Sequence, residues 1–158
     1  MPPFILHKLV VVSRFALLLP LALWVGGGVA LFLLTPVLFK RLERAQAGEV
    51  AGAVLRRADA LFLACILLEV VGLAFRSYVD RAAPPAALVV PLGAMMASRL
   101  VSSLAVAPAA RALRTRMRDA NAPATDAERT AFGRLHALST VLLAVEVMLG
   151  TYALFALS

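Results

Sequence analysis

Three charged residues stand inside the long apolar runs of this chain: Glu69, Arg99 and Glu146. Two carboxylates and a guanidinium in such places can pair with one another, line a polar path for a solute, or pass a proton. Facing hydrocarbon is the costly alternative, since a charge at mid-bilayer costs about 3 kcal/mol on insertion scales. Glu146 lies near the centre of the run from Phe132 to Leu157, and Glu69 is at the midpoint of 58–79. Counted from the ends of their runs, both acids lie at nearly the depth of Arg99, because each residue of helix advances about 1.5 Å. A buried Glu69, Arg99 and Glu146 cluster is therefore expected. Arg99 shares its helical face with Met95, Met96, Ser102 and Ser103, and Glu146 shares one with Ser139 and Gly150.

Other chemistries lack their residues. The two histidines, His7 and His136, belong to opposite ends of their helices, about a hydrocarbon thickness apart, so one subunit cannot bring both to one metal. Cys65 is the single cysteine, which excludes an intrachain disulfide and a multi-cysteine metal site. Ser139 and His136 are three residues apart on one helix with no third group to orient them, so they do not make a hydrolytic site. No catalytic residue, metal or cofactor is expected, and the chain reads as a non-enzyme.

The elements that must position these charges are membrane helices. With 62% hydrophobic residues and a mean hydropathy of +0.90, a water-soluble domain would expose far too much apolar surface. A net charge of +7 raises nucleic acid as a partner. The arginines, however, cluster between apolar runs, where they act as topology signals and lipid-headgroup contacts, so no nucleic acid is expected. One domain over residues 1–158 is predicted, with spans at about 15–39, 58–79, 86–107 and 132–157. The first run exceeds a signal peptide in length and leads into a basic loop, so it reads as an uncleaved span. Eleven of the sixteen basic residues fall in the loops 40–57 and 108–134. The positive-inside rule makes those loops cytoplasmic and both termini external, in the plasma membrane, here a bacterial inner membrane.

The resulting fold class is all-α: an integral membrane four-helix bundle with a basic interfacial extension after the third helix. Arg111, Arg114 and Arg118 lie on one face of that extension. Thr125 and Glu128 form a capping-box pattern that starts the fourth helix in water. A shift of 77 residues aligns Arg57 with Arg134, Leu61 with Leu138 and Glu69 with Glu146, which points to two parallel-repeat helical hairpins. Pro20 should kink the first helix. Gly26, Gly27, Gly28 and Gly150 lack side chains and should let neighbouring helices approach closely.

Trp24-Val25-Gly26-Gly27, Thr35-Pro36-Val37-Leu38-Phe39, Gln46-Ala47-Gly48 and Phe132-Gly133-Arg134-Leu135-His136-Ala137-Leu138-Ser139 together resemble the TMEM205-like, or DUF4149, family of small four-helix membrane proteins. Trp24, Pro36, His136 and Ser139 are the residues that carry the likeness; helices 2 and 3 add only hydrophobicity to it. The family's activity is unsettled, and its animal members are associated with drug resistance and secretion. More distantly, the pattern is similar to copper-resistance D proteins and haem-linked protoporphyrinogen oxidases, which implies a haem- or copper-linked redox role that the histidine spacing argues against. Three functions compete: an accessory or assembly subunit of a membrane complex, held together by the buried charges; a small-solute or proton-coupled transporter using Glu69 and Glu146; and the redox protein. The first is preferred, with the lipid bilayer and either a protein partner or a second copy, met through the Gly-rich first helix, as partners.

Overall fold

The computed structural model describes residues 3–119 and 124–157. Its elements are α1 (Pro3–Arg41), α2 (Arg44–Asp80), α3 (Ala86–Val101), a π-helical segment (Ser102–Val106), α4 (Ala107–Asp119) and α5 (Asp126–Leu157). Among the described residues, four segments are long and apolar enough to cross a membrane: His7–Arg41, Gln46–Asp80, Ala86–Met117 and Asp126–Leu157.

These helices outrun the expected spans. Ala, Arg, Gln, Glu and Leu, all good helix formers, dominate the stretch from Arg44 to Arg57, so α2 begins there and the expected loop at 40–57 shrinks to Leu42 and Glu43. In the same way α1 is continuous from Pro3, well before the expected start of the first span at about residue 15. Helical structure also persists through Pro20 and Pro36. Each proline removes one N–H, a loss confined to one hydrogen bond when neighbouring helices shelter the freed carbonyl.

Pro108 has a larger effect, because its ring would collide with the carbonyl four residues back. The chain widens into the π segment just before it, and the Ala107 N–H donates to the Ser102 carbonyl five residues away. Helix then resumes as α4, so the basic extension continues the third span directly. Arg114 Nη1 donates to the Gly48 carbonyl at 3.0 Å, tying α4 to the start of α2. The Arg118 side chain and the loop residues 120–123 lie outside the described residues. At the start of α5 the Glu128 N–H donates to Thr125 Oγ1 at 3.3 Å, while Glu128 Oε2 accepts from the Thr125 N–H at 2.9 Å, which is the reciprocal cap expected from the sequence.

Packing is mainly α1 on α2 and α3 on α5, and the two hairpins join through α1 and α5. Leu17, Leu21, Phe62, Leu88, Leu92 and Met95 fill the interior. α2 and α3 barely touch although they are consecutive in sequence. After α2 ends at Arg81 in the left-handed conformation (φ 50°), Pro84 and Pro85 redirect the chain, and α3 leans on α5 instead.

Candidate functional site

One polar side chain from each of the four spans turns inward, and the four meet. Glu146 on α5 is fully buried. Its Oε2 accepts from Arg99 Nε at 3.1 Å, from Arg99 Nη2, and from Trp24 Nε1 on α1 at 3.2 Å. Its Oε1 accepts from Ser98 Oγ at 3.1 Å. The remaining reach of the guanidinium goes to α2, where Nη1 donates to Asp59 Oδ1 at 3.4 Å. Ser103 Oγ donates to the same Asp59 oxygen. Phe62 completes the shell: its ring stacks on Trp24 with centroids 5.8 Å apart, and the Arg99 guanidinium carbon lies 4.6 Å from the same ring centroid. A cation over an aromatic face and charge-assisted hydrogen bonds are both stronger where water is excluded.

Local structure explains how the third span reaches α2 and α5 at once. Ser98 and Arg99 are adjacent in the last turn of regular α-helix, and Ser103 lies inside the π segment. One extra residue per turn rotates the helix beyond it, so that Ser103 points to Asp59 on α2 while Arg99 spans to α5.

The expected trio is thereby corrected. Arg99 and Glu146 are paired, but Asp59 holds the position assigned to Glu69. Ten residues separate the two acids on α2, about 15 Å along the axis, which is beyond what one guanidinium already held by Glu146 can bridge. Glu69 instead shares the face of Phe62, Cys65 and Gly72, all buried against α1. It is fully buried, and neither carboxyl oxygen has a hydrogen-bond partner among the described residues. The two acids aligned by the 77-residue repeat therefore occupy unlike environments. Sequence reasoning missed Asp59 because it falls at the edge of the apolar run, where an acid reads as a water-facing residue; the available signal was the unbroken helix-forming composition upstream, which moves Asp59 into mid-helix.

Of the glycines singled out from sequence, three pack and one does not. A Cβ on Gly28 would fall 2.5 Å from Val147 Cγ2, one on Gly27 3.0 Å from Phe62 Cε1, and one on Gly150 2.6 Å from Val25 Cγ2. Gly26 meets nothing within 4 Å and is exposed, because each residue rotates about 100° around the helix, so three consecutive glycines cannot share one face. Gly72 was not among them, yet its Cβ would lie 3.1 Å from the Ala16 carbonyl oxygen, the carbonyl that Pro20 deprives of a donor. Trp24 is buried in the network, Ser139 is half-buried, and Pro36, His7 and His136 are exposed.

Four apolar helices closed around a buried ion pair define a small polytopic α-helical membrane protein. The chain matches the family model described as a domain of unknown function (DUF4149) over residues 19–119. That is well over half of its length, and the chain belongs to this family. The matched region holds Trp24, Asp59 and Arg99 and runs through α2 and α3. It stops short of the Phe132–Ser139 motif and of Glu146. No curated protein and no solved structure matched the chain.

Proposed function

We propose that the protein is a non-catalytic accessory or assembly subunit of a membrane complex, in which the buried charges fix the register of four helices and the outer face of α1 receives a partner span. The supporting observation is the state of that face. Ala22, Gly26 and Ala30 recur every four residues and are all exposed, while Gly27 and Gly28 are consumed by contacts with α2 and α5. Stripes of small residues let membrane helices approach closely and pack by dispersion, since lipid offers no hydrophobic drive for association. The Gly-rich helix thus keeps one free docking face, narrower than its triplet suggests. The charge network fits a structural role because every oxygen of Glu146 is hydrogen-bonded internally. The likeness to TMEM205-like proteins in Phe132–Ser139 and the placement in a bacterial inner membrane with external termini belong to this reading.

Purification in mild detergent tests it. A stoichiometric partner, of different sequence or a second copy, should be retained by the native chain and lost from Gly26→Leu, while Gly26→Leu stays folded because open space surrounds that Cα. A monomer with no partner in native membranes would overturn the reading.

A second reading has its own observation. Glu69 is a buried carboxyl with both oxygens unpartnered among the described residues, and intramembrane acids of this kind mark proton and ion paths. In proteoliposomes a pH-driven flux abolished by Glu69→Gln would favour proton-coupled transport over assembly.

A further inference from the structure

Two clefts meet at the end of the molecule where α2 turns into α3. The first, about 200 Å³, is lined by Arg14 of α1, by Arg76, Ser77 and Asp80 of α2, by the connector at Pro84 and by Ala156 and Leu157 at the end of α5. Among the described residues it holds two guanidinium groups against one carboxylate, and Asp80 is engaged by Arg76 through an i, i+4 ion pair. The second, about 340 Å³, is the seam left open where α2 and α3 fail to pack, with Val70 and Ala74 on one wall and Val89, Gly93 and Met96 on the other. Ser77 and Pro84 belong to both clefts, so the cationic pocket opens directly into the apolar groove.

From this juxtaposition we infer that the α2–α3 seam is a binding site for an anionic phospholipid, with the phosphate held between Arg14 and Arg76 and one acyl chain lying in the groove past Gly93. The order of chemistry along the site matches that of such a lipid. Arginine at a membrane interface reaches to headgroup level and binds phosphate through paired donors. Below it, the wall residues recur at spacings of three and four along each helix, which makes two apolar faces inclined to one another and open to the bilayer. Gly93 has nothing within 4 Å of where its Cβ would be, so the groove floor has room for a chain at that height. The charge balance among the described residues selects an anionic headgroup over a zwitterionic one: two guanidinium groups face one carboxylate in the pocket, and juxtamembrane arginine near anionic lipid is favourable. This site shares no residue with the α1 docking face and stands independently of the assembly role.

The test is native mass spectrometry of the full chain released from nanodiscs containing equal amounts of dioleoyl phosphatidylglycerol and dioleoyl phosphatidylcholine. One phosphatidylglycerol should be retained in preference to phosphatidylcholine by about tenfold, the scale of a charge-assisted pair of hydrogen bonds. R14Q/R76Q should abolish that preference, and Gly93→Leu, which fills the groove while leaving both arginines, should lower retention of either lipid. Soluble glycerol phosphate, which carries a phosphate but no acyl chains, should not compete. Equal retention of the two lipids by the native chain would overturn the inference. So would unchanged phosphatidylglycerol binding in a folded R14Q/R76Q or in Gly93→Leu, or full competition by glycerol phosphate. If the double arginine variant fails to fold, Gly93→Leu and the competition still decide.

Discussion

Arg99 gives two of its donors to one carboxylate oxygen of Glu146, clamping α3 to α5 through Nε and Nη2. Both donors come from one rigid planar group, so the two helices cannot slide without losing both bonds. Removing one partner of a buried pair leaves the other charge unpaired, which costs about 3–5 kcal/mol.

A double-mutant cycle should expose that dependence. Glu146→Gln and Arg99→Gln are each expected to destabilise the fold strongly, and the double variant should cost less than their sum by about 1–3 kcal/mol, read from unfolding in mixed micelles followed by circular dichroism. Asp59→Ala should be much milder, about 1 kcal/mol, because the Asp59 side chain is 27% exposed where that of Glu146 is 0%. Additive single substitutions would show that the pair does not act as a unit.

Trp24 contributes a donor and a stacking surface, and these are separable. Trp24→Phe keeps an aromatic ring against Phe62 but deletes the N–H to Glu146, and should cost about 2 kcal/mol. Trp24→Ala removes both and should cost about 3–5 kcal/mol. Equal losses in the same unfolding assay would mean that the ring's packing adds nothing beyond the hydrogen bond.

The glycines should divide by neighbour and not by position in sequence. Gly72→Ala drives a methyl onto the Ala16 backbone, and Gly28→Ala drives one onto the stiff, branched Val147; each should cost about 1–3 kcal/mol. Gly26→Ala meets open space and should be neutral, or gain up to about 1 kcal/mol from helix propensity. Melting temperatures of the three variants in one detergent give the comparison, and a Gly26→Ala loss as large as that of Gly72→Ala would contradict the assigned faces.

Glu69 offers a sharper contrast, because its carboxyl is desolvated without any hydrogen bond in return among the described residues. Glu69→Met, similar in length and apolar, should raise stability by about 1–3 kcal/mol. Residues that cost stability and are retained at functional positions commonly trade it for activity. A stabilised Glu69→Met that loses flux would support transport, whereas a destabilised one would mean that the carboxyl has a packing role.

Much of the architecture was legible in the chain itself. Four apolar runs, the basic segments between them and the Thr125–Glu128 cap derive from hydrophobicity, span length and capping chemistry, which are local properties. The same energetic rule required Arg99 and Glu146 to turn inward. Only tertiary packing decided which acid completes the network, because Asp59 and Glu69 lie about 15 Å apart along α2, and hydrocarbon burial does not set which of them stands at the height of Arg99. It also decided that the π segment before Pro108 sends Ser103 toward α2, that Gly28 packs while Gly26 does not, and that α3 abandons α2 to leave a seam. Each depends on side chains from two helices meeting at a particular height, a relation that no single stretch of sequence contains.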